Sequence, residues 1–199
     1  MKLSETTITC ANCGQSMQAT VKMSYLVTDN GLDGKPTSKA LLRDIYKCPN
    51  CGYSGYNIDK IKPANPIEFN TTSNDPAIVY ENALLTAKSD NAKNHLLLDY
   101  TWFLEFEGRM EEAKEVRTRA VKQIEKTLEK DPMIELGFVY VDCLRQLGRF
   151  SEAKETLDSM DETINENKRE YAHLVKVYLK LRELVDIGDS SPHMQSELR

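Results

Sequence analysis

One five-residue pattern occurs twice early in the chain: Cys10-Ala-Asn-Cys13-Gly14 and Cys48-Pro-Asn-Cys51-Gly52. Two cysteines separated by two residues, with glycine directly behind, force a tight turn. Backbone N–H groups after the first cysteine then point at its sulfur, and a residue tolerant of positive φ lets the turn close. Two such turns deliver four thiolates, the donor set of a tetrahedral soft-ligand site. Disulfides would be the competing use. The opening residues MKLSETTITCANCG lack the apolar core of a signal peptide, so a cytoplasmic, reducing location is expected, where disulfides do not persist. The expected ligands are therefore Cys10, Cys13, Cys48 and Cys51, around one zinc ion. Iron in a rubredoxin-like arrangement stays open, because the same ligands bind it. Four thiolates leave no coordination position for water, so the metal is expected to be structural.

The 34-residue spacer between the hooks sets the rest of the head. Met17 to Val27 alternates apolar and polar residues and reads as a strand. DNGLDGKPTS (29–38) is rich in turn formers, and ALLRDIYK (40–47) reads as a strand, or a short helix and strand, entering the second hook. Tyr53 to Ile58 supplies a third strand. Residues 1–62 thus read as a zinc ribbon, with Tyr46, Tyr53 and Tyr56 packing around the metal. So small a segment buries little apolar surface. A structural metal, worth on the order of 10–16 kcal/mol, supplies the difference.

Residues 63–75, with two prolines and a polar run, read as a linker. Asp75-Pro76 then opens a helical region running to Ile187. Within it, GRMEEAKE (108–115) returns as GRFSEAKE (148–155), with six of eight positions identical at a separation of 40. Gly108 and Gly148 fall where helices end, and Ala113 and Ala153 let a paired helix approach closely. Leu136, Tyr140, Cys143, Leu144 and Leu147 share one face, with Cys143 as a small buried hydrophobe. Tyr171, Leu174, Val175, Tyr178, Leu181 and Val185 form the stripe of a capping helix stopped at Gly188. Residues 188–199 read as a disordered tail. The fold class is α+β: a small four-cysteine ribbon followed by an all-α array of helical hairpins over 76–187.

The helix, glycine turn, alanine and following Asp-Pro of residues 91–187 resemble the tetratricopeptide repeat, with an unusually long second helix (109–130). The resemblance implies a concave groove. Leu98, Trp102, Glu105 and Phe106 would line it from the first unit, and Phe138, Asp142, Arg145 and Gln146 from the second. The whole chain, with Cys10, Cys13, Cys48-Pro49, Cys51-Gly52-Tyr53 and the repeats, resembles an uncharacterised bacterial family. Its members join a zinc-ribbon-like segment to helical repeats. That likeness implies architecture and no activity.

Charge narrows the function classes. Residues 1–62 carry 8 Lys/Arg against 5 Asp/Glu, while 63–199 carry 18 against 26. An acidic body repels phosphate backbones, so nucleic-acid binding would rest on Lys22, Lys35, Lys39, Arg43 and Lys47 of the weakly basic head, and is not expected. No apolar run is long enough to span a membrane. The three histidines, His95, His173 and His193, sit in no catalytic motif, and catalysis is not expected. The expected function is a non-catalytic adaptor that binds a protein or peptide partner through its helices. The alternatives are a redox switch, in which cysteine oxidation releases the metal and alters partner binding, and electron transfer through an iron-loaded site.

Overall fold

The structure, a computed structural model, describes residues 1–24, 26, 29–63, 67–73, 75–166 and 171–198, without the side chains of Asn165 and His173. Among these residues, four strands in two small antiparallel sheets and six α-helices make an α+β chain. The chain divides into two compact units, residues 1–27 with 38–109, and residues 28–37 with 110–199. Expectation set the boundaries around a linker at 63–75. Instead the ribbon shares a unit with the first two helices, and part of its spacer belongs to the other unit.

In the first unit, β1 (Lys2–Thr9) pairs with β2 (Ser16–Ser24), in a register that closes at Thr9 opposite Ser16. β3 (Tyr46–Lys47) pairs with β4 (Ser54–Gly55). Each hairpin has one cysteine turn at its tip. This accounts for four strands where three were expected: a turn that reverses the chain needs a strand on each side. The alternation over 17–27 corresponds to β2, and its Tyr25 and Val27 lie outside the described residues. Residues 40–47 form a 3-10 turn (Lys39–Leu41) and only two strand residues.

Two short helices follow. α1 (Ile78–Leu84) packs on β4, and α2 (Asp90–Phe106) starts at Ser89, whose side chain accepts from the Ala92 N–H at 3.1 Å. The helical run is therefore broken between them. Ahead of α1, Asp75 accepts from the Ala77 N–H at 2.9 Å and holds Arg109 through two hydrogen bonds of 2.7 and 2.8 Å. Tyr80 of α1 stacks on Tyr100 of α2, with centroids 5.1 Å apart. The described part of 63–75 is not a free linker. Phe69 lies 5.6 Å from the Tyr53 ring, and the Asn70 N–H donates to Asn82 at 3.1 Å. Ala64, Asn65, Pro66 and Asn74 lie outside the described residues.

The second unit contains α3 (Met110–Leu128), α4 (Ile134–Gln146), α5 (Phe150–Glu166) and α6 (Ala172–Asp186), with α4 packed against the other three. Ala113, Val116, Ala120, Val121 and Ile124 recur at helical spacing along α3 and are buried, as are Ala153, Cys143 and Leu144. Asp131-Pro132 precedes α4 by two residues and does not open it. Gly108, Gly148 and Gly188 all end their helices as expected, with φ of 73°, 73° and 69°. In each case the following N–H reaches back to a carbonyl at 2.9 Å: Arg109 to Leu104, Arg149 to Leu144, Asp189 to Leu184.

Residues 188–198, expected to be disordered, are bound to the loop at 29–36. The Gln195 N–H donates to Asn30 O at 2.7 Å and the Leu32 N–H to His193 O at 3.0 Å. A 3-10 turn spans Gln195–Glu197. The composition of this segment is polar enough for disorder. What holds it is a buried arginine elsewhere in the sequence.

Candidate metal centre

The two cysteine turns are built alike. In the first, Cys10 N–H donates to Gln15 O (2.9 Å) and Gly14 N–H to Cys10 O (2.8 Å); in the second, Cys48 N–H donates to Tyr53 O (2.8 Å) and Gly52 N–H to Cys48 O (2.9 Å). Both glycines have positive φ, 77° and 74°. The turns bring all four sulfurs to within 4.8 Å of one another, the one such cluster among the described residues. Cys10 and Cys51 sulfurs are 3.7 Å apart, and those of Cys13 and Cys48 3.6 Å. Zinc–sulfur bonds of about 2.3 Å at the tetrahedral angle require sulfurs roughly 3.8 Å apart, so the donor set fits a tetrahedral ion of this kind.

The environment of each sulfur follows its place in the turn. Cys10 and Cys48, the first of each pair, are buried; Cys13 is exposed and Cys51 half-buried. Burial pushes the Cys10 thiol up to about 12, against the pull of the Cys13 and Asn12 N–H groups, and pushes Cys48 up against those of Cys51 and Asn50. The Asn50 side chain and the Gln15 N–H draw Cys13 down to about 6. A divalent cation among four sulfurs deprotonates coordinating thiols outright, inverting the effect of burial.

The asparagine in each turn is the feature that sequence reasoning passed over. Asn12 Nδ2 lies 3.4 Å from the Cys51 sulfur and Asn50 Nδ2 3.5 Å from that of Cys13, so each turn donates to a sulfur of the other. The signal was present as the shared Cys-x-Asn-Cys-Gly. Around the sulfurs pack Ile8, Ala19, Tyr53 and Ile58, with Met17, Tyr46 and Phe69 at the edge. Tyr53 also donates its hydroxyl to Ile61 O. Tyr56 points elsewhere, donating to the buried Asp99 of α2 at 2.6 Å. From α1, the buried Asn82 donates to Gly52 O at 3.0 Å and Asn70 O at 2.9 Å. The second turn is thus sealed by the 69–71 segment, and the first is open.

The other expected site residues lie apart from this centre. Leu98, Trp102, Phe138, Asp142 and Arg145 are at most 6% exposed, so they do not line an open groove; Glu105, Phe106 and Gln146 are half-buried. Asp142 and Arg145 are held by an ion pair of 2.7 Å. Lys22, Lys39 and Arg43 lie 2.8, 2.5 and 3.8 Å from Asp44, Glu107 and Asp99. His95 is half-buried, and burial together with Arg43 lowers its pKa. His193 bridges Asp189 and Glu197 at 3.0 and 2.6 Å. No described helix is long and apolar enough to cross a membrane. No family model matches the chain, and no curated protein or solved structure matches it either.

Proposed function

We propose that this chain is a non-catalytic adaptor. Its four cysteines hold one structural zinc ion, and its tetratricopeptide-like helices take up a protein or peptide partner. The observation that carries the metal assignment is the convergence of four sulfurs from two turns with the same hydrogen bonding. Bound there, the ion supplies a cross-link between the two hairpins, and its binding free energy becomes folding free energy for the ribbon. Cys10, Cys13, Cys48 and Cys51 complete its coordination, which supports a structural role over an open catalytic one.

The ribbon is joined to helices through Asn82 and Tyr56, which supports a further role for the metal: it fixes the surface on which α1 and α2 rest. Elemental analysis of freshly isolated protein tests the metal assignment. One zinc per chain is expected, in a colourless sample. Stoichiometric iron with visible absorption would replace zinc, and absence of metal would end the reading. Chemical cross-linking in the native cell followed by mass spectrometry tests the adaptor role. Recovery of one defined partner, cross-linked to the helical region, is expected; cross-links scattered over unrelated proteins would refute it.

A further inference from the structure

Arg145 is the most constrained side chain of the second unit. It is 0% exposed, and two elements distant in sequence meet around it. Its Nε donates to Asp142 Oδ1 at 2.8 Å, and its Nη1 donates to two backbone carbonyls, Asp189 O at 2.6 Å and Ser191 O at 2.7 Å. The next alternate carbonyl, His193 O, accepts from the Leu32 N–H at 3.0 Å, and the Gln195 N–H returns a bond to Asn30 O at 2.7 Å. Gly31 and Met194 form an antiparallel bridge. Asp29 takes the Ser196 N–H at 3.0 Å and its hydroxyl at 2.5 Å. Carbonyls at 189 and 191 thus face Arg145 and that at 193 faces the loop, before the segment turns at Gln195–Glu197.

The receiving side is itself held in place. Asp33 is gripped by Arg117 at 3.0 Å and Gln146 at 3.3 Å, which fixes the 29–36 loop. Gly31 has no room for a side chain, since a Cβ there would stand 2.8 Å from Asp33 Oδ1. A buried guanidinium needs acceptors, and here a backbone segment supplies two of them. Little of the recognition depends on the segment's own side chains. The exception is the hydroxyl at 196. His193 hydrogen-bonds Asp189 and Glu197, both within the segment, and so braces it from within.

We infer that Arg145 and the edge of the 29–32 loop form a site for a peptide segment held through its backbone, and that residues 189–198 are its occupant in cis. The partner that fits is an unfolded segment offering three alternate carbonyls, then a serine or threonine for Asp29. It binds through backbone carbonyls and N–H groups to Arg145 and the loop edge, with one bridge of the strand-pairing kind at Gly31 and Met194. This rests on the adaptor reading for the existence of a foreign partner. The site itself is tested without one.

The probe is a fluorescein-labelled peptide of residues 188–199, added to the full chain and followed by fluorescence anisotropy. The wild-type chain competes in cis at an effective concentration on the order of millimolar, and so binds weakly. H193A loosens the occupant and leaves the receiving side untouched. It should bind the peptide at least about tenfold more tightly than wild type. Adding D29A to H193A removes the contacts to Ser196 and should weaken binding about tenfold. Asp29 is only half-buried, at the start of the loop, so changing it avoids the folding failure that changing the fully buried Arg145 risks. Equal binding by wild type and H193A overturns the inference. So does insensitivity to D29A, or no binding to H193A at millimolar peptide. If the peptide behaves as expected and cross-linking finds no partner, the adaptor reading fails and the site stands.

Discussion

Gly14 and Gly52 occupy equivalent positions in two turns with the same hydrogen bonds, and the structure separates them sharply. Alanine at either position meets the left-handed penalty, about 1–2 kcal/mol. At Gly14 nothing lies within 4 Å of the added Cβ. At Gly52 it would stand 2.8 Å from the Phe69 Cβ, 3.0 Å from Thr71 Cγ2 and 3.3 Å from Asn70 O. The Phe69 Cβ is attached to backbone and cannot swing aside, so G52A carries an overpacking cost of about 1–3 kcal/mol besides. If the ribbon folds around zinc as proposed, that difference appears in apparent zinc affinity. It amounts to roughly fivefold to 150-fold weaker binding for G52A than for G14A. Competition against a chromophoric chelator measures both variants directly. F69A should fail to rescue G52A, because alanine keeps the clashing atom. Equal losses in the two variants would refute the claim that the 69–71 segment seals the second turn.

The shared asparagines should matter to the metal. N12A and N50A each remove a donor to a sulfur of the opposite turn, and each should weaken zinc binding about tenfold in the same assay. Y56F leaves Asp99, 2% exposed, without the tyrosine donor, and should destabilise the first unit by about 1–3 kcal/mol in thermal unfolding. Y46F removes a hydroxyl that makes a 3.5 Å contact with Thr20 O and interacts with the half-buried Asp44, so it leaves no fully buried partner behind and should cost less, under about 1 kcal/mol. Attachment of the 189–198 segment should depend on pH at both ends. Burial lowers the His193 pKa, and so does the nearby Arg145 charge, but bonds to Glu197 and Asp189 outweigh both and raise it above 6.5. Its contribution is complete below that value and disappears as pH rises through the raised pKa. Asp189 and Glu197 are lowered from 3.8 and 4.5, Asp189 first by the Ser191 N–H and Glu197 first by His193. Their contributions are present above those values and disappear as pH falls through the lowered ones. Protection factors of the Leu32 and Gln195 amides should therefore plateau between about pH 5 and 6.5 and decline as pH rises through the raised His193 value. Above about pH 5, a flat profile in H193A and a declining one in wild type is the expected contrast, with the acid-side loss through Asp189 kept in both.

The features legible in the sequence were those with local causes. The repeated Cys-x-x-Cys-Gly marked two like turns whose four sulfurs converge, because positive φ at glycine and sulfur-directed N–H groups arise within five residues. Gly108, Gly148 and Gly188 marked three helix ends for the same reason. The apolar spacing of α4 and α6 marked faces that are buried at Tyr140, Cys143, Leu144, Tyr178, Leu181 and Val185. β1 was missed, since its threonine-rich strand buries only Ile8 and gives almost no alternation to read. The groove expected from Phe138, Asp142, Arg145 and Gln146 placed polar residues where a partner would bind. The structure places the chain's own 189–198 segment against Arg145.

By itself, then, the sequence determined the two cysteine turns and the ends of the helices, since each depends on neighbours along the chain. Tertiary structure alone decided that Asn82 and Tyr56 tie the ribbon to the helices that follow it, and that a loop of the spacer meets residues 189–198. Those choices come from buried polar groups, Asn82, Asp99 and Arg145, which must find partners once water is removed. Which distant residue supplies the partner depends on how the whole chain packs, and no local pattern encodes it.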